Sequence, residues 1–201
     1  DALPICEYDA FILEEDESLT EQILHEYIGM NLNYAPRVSR VSTASEALQE
    51  LSERSYDLVI MMIRISDMDP LTLGQKIKEN YPKKPLILLA FDESEIKQLP
   101  RDISSSIDNV FLWSGNANLF PAIIKHVEDK KNIKRDIQVG DVRVIILVED
   151  NPRYYSTILP MMYKEIVFHA KSLLGSNFGN LDRTFYMRSR PKIMLAKNYE
   201  Q

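Results

Sequence analysis

Short unbroken apolar runs, set off by polar turns, alternate along this chain with stretches whose apolar positions recur at helical spacing. The first run, Ala10-Phe11-Ile12-Leu13, reads as a strand and leads through Glu14-Glu15-Asp16-Glu17 into a helical pattern at Leu19, Ile23, Leu24 and Tyr27. A strand at Arg37–Val41 and a helix at Ala44–Leu51 follow. Next comes a buried strand, Asp57-Leu58-Val59-Ile60-Met61-Met62, and a loop over Arg64–Pro70. A helix at Leu71–Asn80 leads to a strand at Pro85–Phe91, and a fifth strand stands at Asn109–Leu112. The segment Leu119–Val127 is helical by period, with Pro121 suited to its first turn. That period fades into Glu128–Asp136, a charged stretch of the kind that forms solvated helix or linker. The pattern then restarts. Val142–Val148 reads as a strand, Tyr154–Leu174 as a helix with Pro160 a candidate kink, Gly175–Pro191 as irregular, and Lys192–Ala196 as a strand.

The run ending at Met62, with its loop Arg64-Ile65-Ser66-Asp67-Met68-Asp69-Pro70, resembles the third strand and loop of a two-component receiver domain. The resemblance implies an α/β fold: a flavodoxin-like, doubly wound, parallel five-stranded sheet of order 2-1-3-4-5 with helices on both faces. It also implies a set of functional positions. Glu15 and Asp16 match the acid pair that holds Mg²⁺ after the first strand. The aspartate that accepts a phosphoryl group is replaced by Met62, the hydroxyl ending the fourth strand by Ala90, and the lysine ending the fifth by Trp113, which Ser114 rather than Pro follows. Phosphoryl transfer of this kind needs a carboxylate nucleophile and a bridging metal. It also needs a cation and a hydroxyl on the product oxygens. Three losses at three strand ends predict a degenerate receiver with no catalytic residue.

No other acid is a natural substitute. Asp57 lies a strand length away, at about 3.3 Å per residue. Asp67 and Asp69 lie nearer the site, but beside Pro70 they read as turn chemistry. Without an oxygen from position 62, Glu15 and Asp16 are expected to bind Mg²⁺ weakly, so the cofactor expectation is none or weakly bound Mg²⁺. Trp113 offers an apolar surface suited to burial by a partner helix. The histidines His25, His126 and His169 sit singly on helical patterns and read as structural. The one cysteine, Cys6, rules out an internal disulfide.

Charge divides the chain. Residues 1–136 carry 15 Lys and Arg against 24 Asp and Glu, while residues 137–201 carry 9 against 6. An acidic first unit argues against nucleic-acid binding. No apolar run is long enough to span a membrane, and cytoplasmic residence is expected. Beginning at Asp1 rather than Met, the sequence is expected to be a fragment or a trimmed form of the protein.

Three segments are therefore expected: a degenerate receiver over 1–131, a charged linker over 132–141, and a truncated second receiver-like unit over 142–201. The second unit is an incomplete βαβ with its own acid pair, Glu149 and Asp150, which would hold metal only in an intact unit. By the resemblance its third strand lies beyond Gln201. The open edge of strand 142–148 is then expected to pair with a neighbouring molecule, as in a homodimer, or to fold back on the first unit. Arg183, Phe185, Tyr186, Arg188 and Arg190 form a cationic, aromatic cluster in the insert, suited to an anion or a partner helix or simply to a polar loop. Arg153, Tyr154 and Tyr155 invite the same two readings.

The phrase Val144–Ser156 after a degenerate receiver also resembles the N-terminal region of bacterial proteins with a pyruvate phosphate dikinase or phosphoenolpyruvate synthase type domain. That implies a regulatory front end, and these residues contain no Gly-rich phosphate loop. The expected function is a non-enzymatic signalling module with protein partners or adjacent domains of its own chain. The alternative is a phosphate-accepting regulator whose acceptor Asp lies in the second unit beyond this sequence. A third reading is ligand sensing in the pocket left by the lost site.

Overall fold

A computed structural model of the chain describes residues 2–4, 36–100, 102–172 and 189–198. The chain divides into two units at Asn116 and Ala117. No helix among the described residues is long and apolar enough to cross a membrane.

The first unit is a five-stranded parallel sheet. Its strands are β1 (Ala2–Pro4), β2 (Ser39–Val41), β3 (Val59–Met62), β4 (Leu86–Ala90) and β5 (Asn109–Leu112), in the order β2-β1-β3-β4-β5. The strand expected at Ala10–Leu13 and the helix after it lie outside the described residues; β1 is the strand that stands between β2 and β3. Every residue of β3 and β4 is buried, which is why both read as unbroken apolar runs. Register is continuous across the centre, Val59–Met62 opposite Leu86–Leu89 and Ile87–Ala90 opposite Asn109–Leu112.

Local chemistry sets the helices of this unit. Helix α1 (Ala44–Glu53) starts at a capping box, in which the Thr43 hydroxyl accepts from Glu46 N–H and the Glu46 carboxylate accepts from Thr43 N–H. Ala44, Ala47 and Leu51 form its buried stripe. Helix α2 (Pro70–Asn80) has Asp69 as N-cap and Pro70 in its first turn, and it buries Leu73, Gly74 and Ile77. Leu73 and Ile77 join Met61, Leu88, Ile107 and Val110 in one core cluster. Gly74 has no room for a side chain, since a Cβ there would stand 2.6 Å from the Ser106 carbonyl oxygen. Beside it, the Asp108 carboxylate accepts from Leu86 N–H and from Lys78 Nζ, both at 2.7 Å, tying α2 to the start of β4. A short helix α3 (Glu93–Gln98), which the apolar pattern does not predict, is nucleated by Asp92 accepting from Ser94 and Glu95 N–H. It buries no residue, so it leaves no apolar stripe to read.

The second unit pairs two parallel strands, β6 (Val144–Val148) and β7 (Lys192–Ala196), with helix α5 (Pro152–Ser172) between them in sequence. Helix α4 (Leu119–Gly140) packs against α5 and β7. This corrects the expected linker over 132–141 and the boundary at 131: the charged stretch is the second half of one 22-residue helix, and that helix belongs with the second unit. Its inner stripe continues at helical spacing but turns polar, through Ala122, His126, Asp129, Ile133 and Asp136, so the hydrophobic period vanishes while the helix does not. The helix stops at Asp141, whose left-handed φ of 47° a short polar side chain tolerates. Helix α5 runs through Pro160 and buries Tyr155, Leu159, Tyr163 and Val167.

Asp129 is the centre of this unit. It is 1% exposed and accepts from Arg190 Nη2 at 2.8 Å, Arg190 Nη1 at 3.1 Å, Tyr163 Oη at 3.1 Å and the main-chain N–H of Ile193 at 3.0 Å. Lys192, also buried, stands 3.7 Å from Asp129 and 2.9 Å from Asp136. Burying this carboxylate is tolerable only because its oxygens are fully engaged.

Two substitutions test these accounts. Gly74→Ala should destabilise the first unit by about 1–3 kcal/mol, because the obstructing atom is backbone and cannot swing aside; denaturation followed by the fluorescence of Trp113 measures it. Asp129→Ala should cost the second unit about 3–5 kcal/mol by stranding the buried Arg190 guanidinium and leaving the Tyr163 hydroxyl and the Ile193 N–H without their acceptor. Hydrogen exchange of the β7 amides reads that loss, and unchanged protection there would remove Asp129 from its central place.

Candidate functional site

In a parallel sheet of this topology, ligands meet the C-terminal ends of the strands. In the first unit that edge carries Met62 at the end of β3, Ala90 at the end of β4 and Trp113 directly after β5. The three stand on neighbouring strands: Met62 is opposite Leu89, Ile63 N–H donates to Leu89 C=O, Ala90 is opposite Leu112, and Trp113 N–H donates to Ala90 C=O at 2.7 Å. Met62 and Ala90 are wholly buried and Trp113 is 8% exposed. The expectation that Trp113 offers a free surface to a partner helix is therefore corrected, since its indole is already enclosed by the chain. No side chain of the three can act as an oxygen nucleophile, present a hydroxyl or carry a cation.

The acids around this edge have structural tasks. Asp67 reaches back to the start of α1, accepting from Ala44 N–H at 2.7 Å, Ser45 N–H at 3.1 Å and Ser45 Oγ at 2.8 Å. The Ala44 amide, followed by the Ser45 hydroxyl, holds its carboxyl below the ordinary aspartate value. Asp69 caps α2 by accepting from Thr72 N–H at 2.9 Å. Asp92 caps α3, and hydrogen bonds from Ser94 lower its carboxyl. Arg64 pairs with Glu95 at 2.6 Å, joining the loop after β3 to α3, while the other Glu95 oxygen accepts from Phe91 N–H. Asp57 lies before β3, at the opposite end of the strand.

Glu15 and Asp16 lie outside the described residues. Among the described residues, no group of three or more acids, histidines or cysteines is placed to hold a metal ion. The described part of this edge is a poor match for Mg²⁺ on its chemistry: Met62 offers sulfur, and Asp67, Asp69 and Asp92 are committed to helix N-termini.

In the second unit, Glu149 and Asp150 follow β6 directly. Glu149 Oε1 accepts from Asn151 N–H at 3.0 Å and Asp150 is exposed. Of the insert residues, Arg183, Phe185, Tyr186 and Arg188 lie outside the described residues. Arg190 grips an anion, but an internal one, Asp129, with its guanidinium also 5.5 Å from the centre of the Tyr163 ring. Arg153 and Tyr154 are exposed, and Tyr155 is buried, which raises its hydroxyl. Asp129 is inconspicuous in the sequence because it sits in a charged run. The available signal was its place seven residues before Asp136 and three after His126, on the stripe begun by Ala122.

His25 is outside the described residues and His169 is exposed, edge-on to Phe168. His126 is buried, and its Nδ1 has no hydrogen-bond partner among the described residues. Burial first, and Lys130 second, push its imidazole down to about 4, while Asp129 opposes them.

Comparison with known proteins agrees with an α/β receiver fold. The family model described as the response regulator receiver domain matches residues 11–110, beginning within the strand expected at Ala10–Leu13. Among solved structures, NtrX from Brucella abortus is similar at 15% identity with a TM-score of 0.51, covering 72% of this chain and 36% of that one. The signal receiver domain of an HD domain-containing protein from Pseudomonas fluorescens Pf-5 is 20% identical with a TM-score of 0.48, covering 67% and 91%. A two-component response regulator from Clostridium difficile is 19% identical with a TM-score of 0.48, covering 65% and 98%. No curated protein matches the chain.

The His126 environment makes a pH prediction. The imidazole titrates at 6.5 in an unfolded chain and at about 4 when folded. Above 6.5 both states are neutral; as pH falls below it the unfolded chain takes up the proton first, so stability drops progressively towards pH 4. The full effect is about 3 kcal/mol. Denaturation midpoints of the second unit across that range should show the slope, and His126→Leu should flatten it.

Proposed function

We propose that residues 11–110, which match the family model described as the response regulator receiver domain, form a degenerate, non-catalytic receiver that signals through protein–protein contact. The observation that carries the reading is the apolar edge: Met62, Ala90 and Trp113, all buried, at the C-terminal ends of three adjacent strands. A receiver that accepts phosphate uses that edge to place a carboxylate, a hydroxyl and a cation around one phosphoryl group. Here a thioether, a methyl and an indole occupy it. The fold is kept and the reactive atoms are not.

The module then acts as a platform. Its partners are proteins or neighbouring domains of its own chain, and it serves as the regulatory front end of a larger signalling or phosphotransfer protein. Cytoplasmic residence belongs to the same reading. Glu149 and Asp150 favour one second reading: a regulator whose acceptor lies in a completed second unit, because that unit keeps an acid pair directly after its first strand.

The deciding experiment is the intact mass of the chain after incubation with Mg²⁺ and acetyl phosphate. No added phosphate is expected, with the fold verified by circular dichroism in the same sample. Stoichiometric addition mapped to Asp67 or Asp69 would replace this reading with that of a phosphate-driven switch.

A further inference from the structure

Among the described residues strand β6 pairs with β7 on one edge, and no strand stands at its other edge. Its apolar side chains are correspondingly uncovered: Ile146 is 66% exposed, and Val148 is also exposed. On the other face Ile145 lines an apolar groove with Ile158, Met161, Met162 and Ile166 of α5. Open strand edges with apolar side chains pair with further strands. The sequence flanking β6 says which one.

Main-chain direction comes first. Arg143 C=O accepts from Lys192 N–H and Glu149 N–H donates to Ala196 C=O, so the odd-numbered residues turn their polar groups towards β7. By alternation, Val144, Ile146 and Val148 turn theirs to the open edge. Two such edges related by a twofold axis at Ile146 can form an antiparallel ladder in which Ile146 meets Ile146 and Val144 meets Val148. Those are the pairs that exchange both hydrogen bonds. Of the registers that bring even residues opposite one another, this one overlaps all of β6.

Charge selects the same register. It sets Arg143 of one copy opposite Glu149 of the other, twice over, in the narrow non-hydrogen-bonded positions where side chains lie closest. Pairing the strands in parallel would set Arg143 beside Arg143 and Glu149 beside Glu149. We propose that the open edge of β6 is the interface of a twofold-symmetric homodimer, a second copy of this chain completing a β7-β6-β6-β7 sheet with reciprocal Arg143–Glu149 pairs. Closed twofold pairing is the commonest form of self-association. The two apolar grooves, which lie on the same face as these charges, would flank the axis. This deepens the reading of the chain as an interaction module but rests on the second unit alone, so a positive phosphodonor result would leave it standing.

The test uses the whole chain in sedimentation equilibrium at low salt. Wild type should dimerise, while Arg143→Glu and Glu149→Arg should each weaken the dimer at least about tenfold, since two attractive pairs become repulsive. Mixed in equal amounts, the two variants should recover it, because each heterodimer restores both pairs. Monomeric wild type at the highest soluble concentration overturns the proposal. So does a dimer indifferent to both reversals, or a mixture that fails to recover; a strand of another protein would then be the occupant to seek.

Discussion

A parallel sheet has to be buried on both faces, and its edge strands have to be covered or paired. The two units meet that constraint to different degrees. In the first, β3 and β4 stand at the centre of five strands and are buried throughout. In the second, the described residues supply two strands, and every residue of β6 is half-buried or exposed although its sequence is as apolar as that of β4. The same kind of sequence is core in one place and unsatisfied surface in the other. The difference lies in the number of neighbours, not in the residues.

What compensates in the second unit is polar rather than apolar. The described strands and helices of this unit provide a small core, and two-stranded sheets are marginal by themselves. Asp129 of α4 joins Tyr163 of α5, Arg190 before β7 and the β7 main chain through one buried carboxylate. Replacing such a group by apolar side chains of equal volume is often neutral or stabilising, whereas removing the carboxylate alone leaves its buried donors unpaired.

This division also explains what could be read from the sequence. The strands Asn109–Leu112 and Lys192–Ala196 and the helix over 71–80 were legible because burial enforces an apolar period there. The short helix Glu93–Gln98 was not, because only the cap at Asp92 announces it. The second half of α4 reads as solvated helix or linker because Asp129 and Asp136 replace apolar residues on its inner stripe, and a polar stripe looks like solvent exposure until its partners are known. Arg190 stands in a cluster suited to an anion, yet the anion it grips lies 61 residues away in sequence. Pattern reading finds what is repeated locally. It does not find a charge whose partner is distant.

The candidate site shows the constraint acting on function. A phosphate-accepting edge keeps charged groups partly desolvated at strand ends, at a cost in stability that the chemistry requires. Met62, Ala90 and Trp113 impose no such cost, and the strand ends merge into the core. On the proposed reading the domain has therefore exchanged a reactive edge for a more stable one. A core side chain cannot be addressed by a small phosphodonor, so a signal must enter and leave by the outer surface.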